Sequence, residues 1–178
     1  MQRGFYVDTE RCVGCRSCEV SCKQWNALPP YVLGKTGPRW RRVVSIESGT
    51  YPAPLLVNVS TACMHCGKPA CAAVCPTGAI TKRIEDGIVV VNKDKCIGCR
   101  YCSFACPFGV PQYGEDGLMQ KCNLCLERVE RGEDPACVAS CPGKALHAGT
   151  MEDMSKLASR KAGRKLAGAT QPSILISR

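Results

Sequence analysis

Large aromatic side chains are scarce in this chain of 178 residues, which has three Phe, five Tyr and two Trp. A chain of this length allows one to two domains, but so few large apolar groups leave its centre short of packing material. Long apolar runs are missing too. The longest aliphatic run is Ile88 to Val91, against the roughly 18 residues that would span a bilayer, which excludes direct membrane insertion. Met1 to Phe5 leads into polar sequence without an apolar leader region. That argues against an exported disulfide scaffold. Histidine is nearly absent, only His65 and His147, so the mixed nitrogen and sulfur ligand sets common in zinc sites have little to draw on. No phosphate-cradling loop, Ser/His/Asp set or pair of catalytic carboxylates stands out, and no separate radical-SAM cysteine loop is present.

What the chain has instead is cysteine, sixteen in all. Iron–sulfur clusters take four thiolates each, and sixteen divides into four complete sets. The formal charge of +9 counts every thiol as neutral. Four cubanes with their thiolates, at about −2 each, add roughly −8 and bring the net near +1. The basic excess then reads as an internal counter-charge. No arginine stripe interleaved with aromatics is present, so a nucleic-acid partner is not expected.

The cysteines fall in four groups. Cys12, Cys15, Cys18 and Cys22 have the CxxCxxCxxxC spacing of bacterial ferredoxins. Cys63, Cys66, Cys71 and Cys75 follow CxxC-x4-CxxxCP. Cys96, Cys99, Cys102 and Cys106 return to CxxCxxCxxxCP. Cys122, Cys125, Cys137 and Cys141 form CxxC-x11-CxxxCP, which alone would pass for a zinc ribbon. An internal repeat links the groups. VDTERCVGCRSCEVSC from Val7 matches VNKDKCIGCRYCSFAC from Val91 at seven of sixteen positions, while CAAVCPTGAI resembles CVASCPGKAL. The order is B-A-B-A in the two half-types of a two-cluster ferredoxin.

Two pairings fit this order: neighbour with neighbour, or the middle two groups together with the outer two closed around them. Spacer lengths favour the nested pairing. Residues 76–95 read as a turn, a strand, an Asp86-Gly87 turn and the strand Ile88 to Asn92, the hairpin a compact ferredoxin places between its motifs. In such motifs the fourth cysteine reaches the other cluster of the pair. The expected ligand sets are therefore Cys12, Cys15, Cys18 and Cys141; Cys122, Cys125, Cys137 and Cys22; Cys63, Cys66, Cys71 and Cys106; and Cys96, Cys99, Cys102 and Cys75. All sixteen serve as iron ligands to four 4Fe–4S clusters, with no three-iron site.

The expected fold is α+β, two bacterial-ferredoxin-like modules nested in pseudo-symmetry with long loops. Residues 1–62 and 108–150 form the outer module and 63–107 the inner one. Residues 151–178 hold a basic helix and a short strand, a solvated face or a partner-docking segment. Gly14 and Gly98 sit where φ must turn positive or a side chain would crowd the cluster loop. Lys23, Arg16 and Arg100 are candidate counter-charges, Trp25 and Trp40 packing residues, and His65 a polar neighbour of a cluster rather than a ligand. The insert Leu126 to Ala136 predicts a short helix with a Glu127–Arg131 pair, ended by Gly132, and a contact surface for a partner.

These four groups resemble the electron-transfer subunits of molybdopterin oxidoreductases of the DMSO reductase type, which include the iron–sulfur subunits of polysulfide reductases and formate dehydrogenases. The carrying residues are VDTERCVGCRSCEVSCKQWN, CMHCGKPACAAVCPTGAI, KCIGCRYCSFACPFGV and CNLC-x11-CVASCP, so the resemblance covers about residues 4–150. It implies a non-catalytic subunit that relays single electrons to or from a catalytic subunit holding molybdenum or tungsten pterin. Further candidate partners are a flavin subunit, a membrane-anchor subunit or more copies of the chain itself. Similar four-cluster subunits serve tungsten aldehyde oxidoreductases, which gives an alternative complex, and a zinc-binding scaffold is the alternative of a different class. The expected location is the cytoplasm, or outside it by export alongside a signal-bearing partner.

Overall fold

The computed structural model describes residues 1–32 and 34–177. In chain order its elements are β1 (Arg3–Val7), α1 (Ser17–Trp25), β2 (Tyr31–Val32), β3 (Lys35–Thr36), β4 (Arg42–Ser48), β5 (Leu55–Thr61), α2 (Ala70–Ala73), β6 (Ile80–Lys82) and β7 (Val89–Val91). After a single 3-10 turn follow α3 (Tyr101–Ala105), β8 (Gln112–Tyr113), β9 (Met119–Gln120), α4 (Leu126–Glu130), α5 (Ala136–Ala139), β10 (Leu146–Thr150), α6 (Met151–Ser159), β11 (Arg164–Lys165) and β12 (Ile174–Ile176). The class is α+β, as expected, with short helices and small sheets.

One four-stranded sheet, ordered β10-β1-β12-β11, joins the two ends of the chain. β1 pairs antiparallel with β10 and parallel with β12. The C-terminal strand is therefore interior to the sheet, and α6 packs on it by burying Met154 and Ala158 against Tyr6 and Leu175. Thr150 caps α6, its hydroxyl accepting from the Asp153 N–H at 3.1 Å. Four two-stranded hairpins complete the strands. The predicted hairpin is β6–β7, with Gly87 at φ 70° and the Asp86 carboxylate accepting from the Ile88 N–H.

The core is partly made of thiols. Phe5, Val7, Val43, Ile88, Leu124, Val138 and Ile174 share one buried cluster with Cys18, Cys63, Cys122 and Cys137. A second cluster sets Cys102 among Ile80, Val89 and Met119. The aliphatic shortage read from the sequence is thus filled by cysteine at the centre. No helix of the described residues is long and apolar enough to cross a membrane.

The internal repeat recurs in the backbone. Gly14 and Gly98 have φ of 71° and 68°, and Arg16 and Arg100, which precede α1 and α3, have φ of 62° and 64°. Pro69 and Pro135 precede the matching four-residue helices α2 and α5. α1 packs against α5, and α2 against α3.

Candidate iron–sulfur site

Helix packing brings distant cysteines together. α1 carries Cys18 and Cys22, and α5 carries Cys137 with Cys141 just beyond it. The Ser140 hydroxyl donates to that of Ser21 at 2.7 Å and ties the two helices where they meet. α2 and α3 repeat this arrangement with Cys71 and Cys75 against Cys102 and Cys106.

Three voids, partly open to solvent, are each lined by four cysteines. The first has Cys12, Cys15, Cys18 and Cys141. The second has Cys75, Cys96, Cys99 and Cys102. The third has Cys63, Cys66, Cys71 and Cys106. Of the remaining four, Cys22, Cys122, Cys125 and Cys137, all are buried. Each void draws one cysteine, Cys141, Cys75 or Cys106, from a different sequence group than its other three. The walls are otherwise mostly apolar, with Val43 and Leu146 in the first and Val89, Phe108 and Val110 in the third. Soft sulfur donors in sets of four within an apolar shell suit an iron–sulfur cluster.

The backbone supplies the polar shell that cluster sulfurs need. N–H groups point at sulfur from Leu124 to Cys122 at 3.4 Å, from Met119 to Cys96 at 3.5 Å and from Ala145 to Cys141 at 3.3 Å. Hydroxyls also adjoin sulfur, Ser17 beside Cys15 and Tyr113 beside Cys102, while the Cys66 thiol donates to Thr170 Oγ1 at 3.5 Å. The first loop is braced by Asn58 of β5, whose amide donates to the Cys12 carbonyl at 3.4 Å and whose Oδ1 accepts from Ser45.

Burial dominates the acidity of the inner thiols. It pushes Cys22 up to about 12 and Cys71 up to about 11, and raises Cys122 further. Cys15 moves the other way, lowered by the Ser17 hydroxyl. At Cys75 burial works upward but is outweighed by Thr77 and by the N–H groups of residues 77, 79 and 80. Buried thiols of this kind stay protonated until a thiophilic metal displaces the proton.

Three residues that sequence reasoning left unmarked stand beside the cysteines. Arg41 and Lys121 are buried cations and Ser60 is a buried hydroxyl. Lys121 donates to the Val89 and Cys122 carbonyls and lines the Cys63 void. Of the basic residues singled out from sequence, Arg16 lines the first void and Arg100 the second. Arg16 and Arg100 are exposed, pairing with Glu19 at 3.4 Å and lying over the Tyr113 ring. Lys23 donates to the Pro29 carbonyl. His65 is fully buried, its Nδ1 accepting from the Val89 N–H at 3.1 Å. Burial, then the charges of Lys121 and Arg41, hold its imidazole well below the usual range and keep it neutral.

The insert folds as a short helix, but its charges pair differently from expectation. Arg131 binds Glu133 at 2.9 Å rather than Glu127. Arg128 lies over the Trp25 ring at 4.7 Å, and Glu130 reaches Arg83 at 2.8 Å. Trp40 is half-buried against the core, its indole donating to Gln120 at 3.0 Å.

Residues 56–151 and 11–80 each match the 4Fe-4S dicluster domain family, the first over more than half of the chain. Two dicluster matches and sixteen cysteines fit four 4Fe–4S clusters, which decides against the zinc reading. The sequence is 44% identical over 162 residues to a component of the anaerobic dimethyl sulfoxide reductase of Escherichia coli, covering 87% of this protein and 77% of that one. It is 42% identical over 168 residues to a component of the sulfite dehydrogenase of Allochromatium vinosum, covering 85% and 70%. It is 38% identical over 174 residues to the formate dehydrogenase iron-sulfur subunit of Wolinella succinogenes, covering 85% and 82%. The protein belongs to the family of iron–sulfur subunits of molybdopterin oxidoreductases, electron-transfer proteins built on 4Fe–4S dicluster domains.

Proposed function

We propose that the chain is the non-catalytic electron relay of an oxidoreductase complex whose catalytic subunit holds molybdenum or tungsten pterin. The ligand sets are Cys12, Cys15, Cys18 and Cys141; Cys22, Cys122, Cys125 and Cys137; Cys63, Cys66, Cys71 and Cys106; and Cys75, Cys96, Cys99 and Cys102. The crossing of each fourth cysteine supports two nested ferredoxin-like modules, 1–62 with 108–150 around 63–107. When bound, each 4Fe–4S cluster accepts and gives up one electron, at a potential set by its hydrogen bonds, charge and burial.

One observation carries the relay reading. Among the sixteen cysteines only Cys15 and Cys99 are exposed, and they belong to different quartets. Val13 and Val20 lie exposed near the first, and Ile97, Tyr101 and Phe104 near the second. Two accessible quartets with buried thiols between them suit entry of electrons at one and departure at the other. Neighbouring quartets adjoin: Met119 lines both inner voids, and α1 with α5 joins the outer two sets. The side chains around the quartets hold and insulate.

The relay needs a donor on one exposed quartet and an acceptor on the other. One is the pterin subunit; the second is a flavin subunit, a membrane-anchor subunit or another copy of the chain. Location follows that assembly: the cytoplasm, unless a signal-bearing partner carries the chain out. Purification of the tagged chain from an anaerobically grown native host tests this. It should bring down a larger subunit with molybdenum or tungsten, and the chain alone should turn over no substrate. Recovery without either metal, or turnover by the isolated chain, would contradict the reading.

A further inference from the structure

Adding an electron to a cluster whose thiolates already carry negative charge is opposed unless a cation stands close in a medium that screens poorly. Exposed arginines serve this badly because water and salt screen them. Arg41 is placed differently. It immediately precedes β4 and is 2% exposed. Its guanidinium lies 4.4 Å from the centre of the Phe5 ring, which seals one face. Nη1 donates to Ser60 Oγ at 3.0 Å, and that oxygen lies 3.4 Å from Cys18 Sγ. Because Ser60 accepts from Arg41, its own proton is free to point at the sulfur.

The Nε and Nη2 atoms of Arg41 are buried and have no hydrogen-bond partner among the described residues. Buried charge with unpaired donors is costly and persists where an opposite charge compensates it. Burial opposes the charge of this guanidinium, and the sulfurs of Cys137, Cys122, Cys18 and Cys22 favour it strongly enough to leave its pKa raised. They come from two quartets, the one closed by Cys141 and the one that holds Cys122.

We propose that Arg41 is a shared counter-cation between these two quartets, a positioning residue that raises the reduction potentials of both clusters, with Ser60 aiming it and donating to the Cys18 sulfur. This rests on the ligand sets proposed above. A single fixed charge then tunes two of the four relay centres most strongly, and reaches the inner module only more weakly, at His65.

Anaerobic redox titration followed by electron paramagnetic resonance tests this on the loaded full chain, with Arg41→Met, Arg41→Lys and Ser60→Ala. Iron is measured first, and about 16 per chain in the wild type is the reference. Arg41→Met is expected to keep that iron while two potentials fall, each reduction equilibrium losing about tenfold, or 59 mV for one electron. The other two potentials fall by clearly less. Arg41→Lys, which keeps the charge, restores both. Ser60→Ala lowers most the cluster whose signal Cys141→Ser also alters, because that cluster loses a hydrogen bond to sulfur as well as the aimed charge. A loaded Arg41→Met chain with no shift, or with equal shifts at all four centres, overturns the proposal. Should Arg41→Met fail to take up iron, Ser60→Ala decides, and unchanged potentials there overturn it. Wild-type iron far below 16 would instead overturn the ligand sets, independently of Arg41.

Discussion

A cysteine in a cluster motif can be reassigned to another cluster only by the fold, so substitution of single ligands reads the crossing directly. Cys141→Ser and Cys15→Ser are predicted to perturb one resonance signal, and Cys22→Ser and Cys125→Ser a different one. Cys141→Ser and Cys125→Ser altering the same signal would mean that each motif closes on itself. A second residue-scale prediction concerns Gly14. A Cβ there would stand 2.9 Å from Asn58 Oδ1, at a φ of 71° that side chains rarely adopt. Gly14→Ala should cost about 1–3 kcal/mol in denaturant unfolding, and Asn58→Ala in the same chain should recover the steric part. The cysteines and this glycine were legible in the sequence because spacing alone places them. Arg41 was not, since Arg39-Trp40-Arg41-Arg42 offers three arginines and only packing against β5 and the distant α5 decides which is buried.

Short elements take their stability from contacts with remote segments, as two segments show. Sequence alone makes the insert Leu126 to Ala136 a partner surface. Its Val129 is buried, and Arg128 and Glu130 bind Trp25 and Arg83. Shortening it to a two-residue spacing should therefore lower the iron content, because it unseats Cys122 and Cys125 from Cys137 and Cys22; unchanged iron would return the insert to a docking role. Arg128→Ala alone should cost about 0.5–1 kcal/mol, as the ring it covers is 40% exposed. The C-terminal strand is a similar case. Ile174 and Leu175 are buried and β12 lies between β1 and β11. Leu175→Ala should lose about 2–5 kcal/mol of unfolding free energy. A loss near zero would contradict a structural role for this segment. Sequence pattern marked the strand but not its neighbours, because parallel pairing of the two chain ends has no local signature.

At the scale of the whole molecule, charge and metal content are linked. The chain carries +9 with neutral thiols, and four clusters with their thiolates bring it near +1. Loading should therefore weaken binding to a cation exchanger strongly at neutral pH, checked by eluting apo and loaded protein on one salt gradient. Equal elution would contradict the charge count. The general architecture was legible because metal-ligand spacing substitutes for the large apolar core that the composition lacks. Hairpin β4–β5 was less so, since Val44, Ile46, Leu55 and Leu56 are exposed on it and its strands are not fixed by burial on one face.

Metal and sulfide content tests most directly whether sixteen thiolates hold four complete cubanes. Iron and acid-labile sulfide are measured on freshly prepared anaerobic protein, with the oxidised sample examined by electron paramagnetic resonance. About 16 iron and 16 sulfide per chain are expected, with no stoichiometric three-iron signal. A colourless chain with about four zinc, or a three-iron signal integrating to one per chain, would contradict it.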